Sequence, residues 1–260
     1  MSYVQHYFSK DEISIKTKKI NYYLSPKLSK NNFKHGFFTK KSSEINLTQI
    51  STYFDINNNN CVLNQIHSNR IIFGSQIMLD KEIEADGLIC DNKDQNLWIY
   101  TADCMPILFA DKVKRRVAAI HCGRKGLENK IIKNLIIKFD NLGSRRGDLI
   151  VAIGPSISKK NYLVDRKILK DFYKNINSNK EKNSEIGETN EYIYENYTQS
   201  DDKFSNPLDL RKYAYNQLLE ANIPNINIDI SNLCTYDSNH DFYSWRRSKT
   251  SSRQWNFICS

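Results

Sequence analysis

His67, Cys104 and His121 offer soft or borderline donor atoms. Neutral imidazole and thiolate suit zinc, and three protein ligands leave a fourth position for water or substrate. The spacing of these residues matches no short zinc-finger pattern. A second chemistry therefore stands beside the first: a metal-free pair with Cys104 as nucleophile and His121 as base. Taken one at a time, each histidine also fits a plain hydrogen-bonded structural role. Asp86 and Asp103 are supporting or acid/base candidates. For Asp103 the competing reading is a turn carboxylate that caps nearby amides.

The elements that must position these groups follow from the apolar pattern. Residues 98–126 read WIYTADCMPILFADKVKRRVAAIHCGRKG and hold two apolar runs, 105–110 and 117–120. The polar segment 111–116 between them predicts two strands joined as a hairpin. Antiparallel pairing brings Cys104, just before the first run, to His121, just after the second. Gly123 and Gly126 follow, where the backbone can approach closely. Residues 61–67 alternate as a strand that ends near His67. Asp86 and Gly87 form a turn that leads into an apolar segment.

Elsewhere, residues 22–24 predict a short strand and 35–38 an apolar segment, with His35 as a local structural residue. The Asn run 57–60 reads as a loop. Leu127, Ile131, Leu135 and Phe139 recur at i+4 and predict a helix over 127–139 that stops at Asn141-Leu142-Gly143. Residues 148–153 form a strand stopped by Gly154-Pro155. Leu210, Ala214, Leu218 and Ala221 mark a helix ended by Pro224, and 226–230 a further strand. Residues 174–203 are rich in Asn, Lys, Glu and Ser and predict a surface insertion. The tail mixes aromatic and guanidinium groups, and Arg246 and Arg247 are placed to stack on Tyr243 or Trp245.

The chain has 260 residues, 40% of them hydrophobic, and a formal net charge of +9. This size suits one large domain or two small ones. The positive field favours anionic ligands. The lysines are scattered and no nucleic-acid motif is present, which argues against nucleic acid as a partner. The six cysteines include no CxxC pair. No apolar run reaches the ~18 residues of a membrane span, and none has signal-peptide form. A cytoplasmic protein with reduced thiols is the expectation.

Several segments, in order, resemble the laccase-domain family. These are Gln65-Ile66-His67, Asp86-Gly87, Thr101-Ala102-Asp103-Cys104-Met105-Pro106-Ile107, Ala119-Ile120-His121-Cys122-Gly123 with Gly126, and Ala152-Ile153-Gly154-Pro155-Ser156-Ile157. Cys234-Thr235, Phe242-Tyr243-Ser244-Trp245-Arg246-Arg247, Thr250 and Arg253 extend the likeness to the C-terminus. The family was first called polyphenol oxidase or multicopper-oxidase-like, and later described as purine nucleoside phosphorylases with adenosine deaminase activity.

The resemblance implies one α/β (α+β) domain over residues 1–260, with mixed β-sheet layers flanked by helices in a YfiH-like cysteine-hydrolase-type fold. It implies zinc on His67, Cys104 and His121, with copper second, since three ligands cannot build a multicopper cluster. It makes Cys104, His121, His67 and Asp103 the catalytic set. It also implies phosphorolysis of adenosine, inosine and methylthioadenosine, and adenosine deamination in some members. The alternatives are a metal-free Cys–His hydrolase or deamidase, and a peptidoglycan-editing or binding protein without phosphorolysis.

Phosphate candidates are Lys40, Lys125, Arg246, Arg247 and Arg253, which lie in or beside matched motifs. The family's usual His-Ala-Gly-Trp-Arg-Gly reads His121-Cys122-Gly123-Arg124-Lys125-Gly126 here, so an aromatic residue is replaced by Arg124 and an arginine by Lys125. Thr39-Lys40 similarly takes the place of Thr-Arg. Lysine acts as a point charge where arginine grips an oxyanion bidentately.

Overall fold

The computed structural model describes residues 3–15, 18–77, 82–177 and 206–259. The insertion expected over 174–203 falls outside the described residues from 178 onward. Its first four positions close the helix Arg166–Asn177.

Strands are numbered in chain order. One sheet runs β1 (Ser9–Ile15), β2 (Lys18–Leu24), β3 (His35–Phe38), β14 (Gln254–Cys259), β7 (Asn96–Thr101) and β4 (Asn60–Cys61). The other runs β13 (Ile228–Ile230), β10 (Leu149–Ile153), β8 (Met105–Asp111), β9 (Val117–Cys122), β6 (Gly87–Ile89) and β5 (Ile71–Phe73). A small ribbon pairs β11 (Leu163–Val164) with β12 (Asn206–Pro207). Both large sheets are mixed: β4 runs parallel to β7, β5 to β6 and β13 to β10, while the remaining pairs are antiparallel.

The second sheet is buried on both faces, which is why its strands read as unbroken apolar runs. Alternation along β8 and β9 divides their side chains between two cores. Leu108, Ala110, Val117 and Ala119 meet Phe37, Leu97, Ile99 and Ile258 of the first sheet. Ile107, Phe109, Ala118 and Ile120 meet Ile131, Leu135 and Phe139, together with Phe172, Tyr213 and Leu218 from the helices Arg166–Asn177 and Leu210–Glu220. The outer face of the first sheet carries Ile13, Ile20, Phe38, Trp98 and Phe257, which pack with Ile50 of the helix Leu47–Tyr53.

Two sequence expectations change. The strand over 61–67 shrinks to Asn60–Cys61. Beyond it, Gln65 spends its side-chain amide on the Tyr100 backbone, with Nε2 donating to the carbonyl at 2.8 Å and Oε1 accepting the N–H at 2.9 Å. The next three N–H groups turn to the Asp86 carboxylate instead of a ladder. The helix over 127–139 is broken into Arg124–Glu128 and Ile131–Asn141, with Lys130 left-handed at φ 61° between them. The Leu127 carbonyl accepts the Lys130 N–H at 3.1 Å and Gln217 Nε2 at 2.9 Å. Leu127 and Ile131 both stay buried across the break, so the i+4 pattern conceals it. Smaller shifts lengthen the strand at 22–24 back to Lys18 and start the one expected at 226 at Ile228.

Candidate functional site

The hairpin β8–β9 sets Met105 opposite Cys122 and Pro106 opposite His121, so Cys104 and His121 meet at one end of the second sheet. Cys104 follows Asp103, whose φ of 88° is unusual for a residue with a β-carbon. Such a backbone costs on the order of 1–3 kcal/mol and persists when surroundings over-determine it. Here Asp103 Oδ1 accepts the Thr235 hydroxyl at 2.7 Å, Oδ2 accepts the Arg246 N–H at 2.6 Å, and the Asp103 carbonyl accepts the Ile157 N–H at 2.9 Å. The carboxylate caps amides and pins the turn that delivers Cys104.

His67 arrives on a loop and is also left-handed, at φ 60°. Asp86, fully buried at the start of β6, accepts the N–H groups of Ile66, His67 and Ser68 at 3.3, 3.0 and 2.5 Å. The same carboxylate stands 2.8 Å from Nδ1 of His121, so Nε2 is the ring atom left for the site. Donor atoms of His67, Cys104 and His121 lie within 4.8 Å of one another. Cys104 Sγ is 3.9 Å from His67 Nε2. Gly123 makes room: a β-carbon there would stand 2.7 Å from Cys104 Sγ and 3.5 Å from His67 Cδ2.

Burial pushes the Cys104 thiol up, but the His121 charge and hydrogen bonds from both histidines outweigh it and bring it down to about 6. Burial likewise works against a charged His121, yet Cys104 and Asp86 raise it to about 9. Burial would raise Asp86 as well, and its bonds to His121 and Ser68 hold it below the usual carboxylate range. Without a metal these shifts favour a thiolate beside an imidazolium that is anchored on a carboxylate. One sulfur and two nitrogen donors fit a zinc- or copper-type ion, and the buried Asp86 behind His121 is the usual support for such a ligand. Among the described residues this is the single group of three such ligands.

The three side chains open on a cavity of about 410 Å³. Gln65, Tyr100, Tyr162 and Trp245 line it, as do the cations Arg124, Lys125, Arg246 and Arg253. Of the phosphate candidates, Lys125, Arg246 and Arg253 therefore reach the pocket. Lys40 does not line it, and its Nζ donates to the Asn239 carbonyl at 2.8 Å. Arg247 is also absent from the lining: it donates to the carbonyls of Thr235, Tyr236 and Phe242 at 2.7–2.8 Å, tying loop to helix. The stacking expected on Tyr243 or Trp245 is replaced: Arg246 lies over Tyr162, 5.0 Å from the ring centroid, and Lys249 lies over Trp245 at 3.6 Å. Tyr162, Gln65 and Arg124 carry no assigned role in the sequence reading; the signals there are that Gln65 lies in a matched motif and that position 124 departs in residue type. No helix among the described residues is long and apolar enough to cross a membrane.

The sequence matches, over residues 13–260, the family described as multi-copper polyphenol oxidoreductase laccase. A purine nucleoside phosphorylase of Synechocystis sp. is 30% identical over 249 residues, covering 87% of this chain and 89% of that protein. One from Clostridium acetobutylicum is 30% identical over 250 residues, covering 95% and 94%. Among solved structures, the hypothetical protein YfiH of Bacillus licheniformis superposes with a TM-score of 0.74 at 22% identity, over 92% of this chain and 96% of that one. YlmD from Geobacillus stearothermophilus gives a TM-score of 0.74 at 21% identity, over 95% and 97%. The mixed sheets flanked by helices are thus a YfiH-like fold. The chain belongs to the multi-copper polyphenol oxidoreductase laccase family.

Proposed function

We propose that this protein is a zinc-dependent purine nucleoside phosphorylase, acting on adenosine, inosine and methylthioadenosine, with adenosine deamination as a second reaction of the same pocket. The observation that carries this reading is the His67–Cys104–His121 cluster opening on a cavity lined by Lys125, Arg246 and Arg253. The names of the Synechocystis and Clostridium relatives support it.

In phosphorolysis a phosphate oxygen bonds to the ribose anomeric carbon as the bond to the purine nitrogen breaks. The bonding pair leaves with the purine, which takes up a proton. His67, Cys104 and His121 would hold a zinc ion, which would supply Lewis-acid chemistry beside the substrate. The chain does the rest. Lys125, Arg246 and Arg253 hold the phosphate dianion and offset its desolvation. Asp103 holds the Cys104 turn and accepts the Arg246 N–H in the helix Trp245–Ser248. Trp245, 46% exposed at the rim, offers a face for the purine ring. We read residues 1–260 as one domain, and the six unpaired cysteines as those of a cytoplasmic protein.

The test is metal analysis with a nucleoside panel. About one zinc per chain and release of purine with ribose 1-phosphate are expected. His67→Ala, Cys104→Ala and His121→Ala should each lose most of the metal and the turnover. Full metal retention in two of these variants would overturn the ligand assignment. Metal-free protein that hydrolyses an amide through an alkylatable Cys104 would favour the Cys–His reading. Stoichiometric metal without turnover would favour a binding protein.

A further inference from the structure

Arg211 is an enclosed cation, 1% exposed, in the first turn of the helix Leu210–Glu220. Both placements are unfavourable. A buried charge is costly unless it is compensated, and the first turn is the positive end of the helix dipole. Among the described residues, none of its hydrogen bonds goes to a carboxylate; its donors go to neutral oxygens. Nε donates to the Ser156 hydroxyl and Nη1 to the Ser231 carbonyl, both at 2.9 Å. Nη2 donates to the carbonyls of Ser156 and Leu233, both at 2.5 Å.

The two segments joined in this way leave the ends of the parallel strands β10 and β13. Past the strands they still touch: the Thr235 N–H donates to the Ser156 carbonyl at 3.1 Å, and the Ser156 N–H to the Leu233 carbonyl at 3.4 Å. One or two residues further on, each segment reaches Asp103. The Ile157 N–H donates to the Asp103 carbonyl at 2.9 Å, and the Thr235 hydroxyl to Asp103 Oδ1 at 2.7 Å. Asp103 has a left-handed φ of 88°, and Cys104 follows it. Such a backbone persists while its surroundings over-determine it. Arg211 makes no hydrogen bond to Asp103 or Cys104, but it clamps together two of the supports that hold them. Three carbonyls and a hydroxyl converge on its planar fork, a set that a side chain with fewer fixed donors cannot satisfy.

We propose that Arg211 is a positioning residue: acting through Ser156 and Thr235, it holds the Asp103 turn and so sets where Cys104 stands. Its effect on metal binding rests on the ligand reading given above; its effect on the Cys104 thiol does not.

Zinc affinity, measured by competition with a chelator, and the thiolate-to-cobalt absorption band of the cobalt-loaded protein test this. Arg211→Met keeps the bulk and removes every donor. It should weaken zinc binding about tenfold or more and diminish the cobalt band. Arg211→Lys keeps the charge with fewer fixed donors and should recover part of the loss. Leu218→Ala truncates a buried core residue on the same helix. It should lower the melting temperature and leave zinc affinity unchanged, which separates positioning from stability. Thr235→Val should also weaken zinc binding, and its loss combined with Arg211→Lys should be less than additive, since both act on one turn. If Arg211→Met does not fold, Arg211→Lys and this double variant carry the test. Metal-stripped protein gives a second readout, alkylation of Cys104 followed by mass spectrometry near neutral pH. Alkylation should slow in the Arg211 variants, because the thiol moves away from the histidines that favour its thiolate. Folded Arg211 variants with the parent's zinc affinity and the parent's Cys104 alkylation overturn the proposal, and so do additive losses in the double variant. A parent protein that takes up no metal overturns the ligand reading instead. Slowed Cys104 alkylation in the Arg211 variants would then still uphold the positioning role, and an unchanged rate would remove it.

Discussion

The Asp86 carboxylate lies 2.8 Å from Nδ1 of His121, and the same oxygen accepts the backbone N–H of His67 at 3.0 Å. Two ligands from separate parts of the chain are therefore held by one buried oxygen. The other oxygen takes the Ser68 N–H and hydroxyl at 2.5 and 2.8 Å, which closes the loop beneath His67.

Replacing Asp86 with Ala leaves the loop N–H groups and the His121 ring without their acceptor. The expected loss is about 3 kcal/mol of stability and about 10–100-fold in metal affinity. Urea unfolding and competition with a chelator measure the two. Metal affinity equal to the parent's would show that Asp86 does not position the histidines.

Gly123→Ala brings a β-carbon to 2.7 Å from Cys104 Sγ. The thiol must move, and metal stoichiometry should fall below half of the parent value. Stability should change by less than about 2 kcal/mol, because the site lies at an open sheet end that can relax. A folded variant with full metal content would mean that the close approach is not needed.

Gly154 ends β10 beneath the first sheet, and an added β-carbon would stand 2.3 Å from Phe37 ring atoms and 2.9 Å from Pro106 Cγ. Gly154→Ala should destabilise by about 3 kcal/mol, at the upper end of ordinary overpacking. The double variant with Phe37→Leu should cost less than the sum of the two single changes, since the residues touch. Additive losses in thermal or urea melts would contradict the contact.

His35 supplies the pH dependence. It is fully enclosed, with Nδ1 2.8 Å from the Phe33 carbonyl and Nε2 accepting the Ser25 N–H at 2.9 Å. Burial lowers its pKa from 6.5 to about 4 despite the Phe33 carbonyl and Asp229. Between these values the unfolded chain holds a proton that the folded chain does not, so stability rises with pH. The contribution is complete above 6.5 and is lost as pH falls to about 4, amounting to about 3 kcal/mol. Urea midpoints from pH 4 to 7 should slope more steeply for the parent than for His35→Gln. Equal slopes would remove His35 as the source.

The meeting of Cys104 with His121 was legible in the sequence, because a polar break between two apolar runs specifies a hairpin and a hairpin joins its own outer ends. The buried stripes of the helices Ile131–Asn141 and Leu210–Glu220 were legible for the same local reason. Residue type alone nominated His67, but alternation mistook its loop for a strand. The N–H groups of that loop bond a carboxylate about twenty positions away, and periodicity carries no record of such a partner. Motif proximity also could not separate Arg246 and Arg253, which face the cavity, from Arg247, which is spent on carbonyls. The sequence by itself determined which side chains could ligate, that the two strands of the β8–β9 hairpin pair and which helix faces are buried, since these depend on donor chemistry and local spacing. Only the tertiary structure decided that Asp86 anchors two ligands, that Tyr162 joins the cations and that Lys40 stays outside, because each depends on contacts between distant segments.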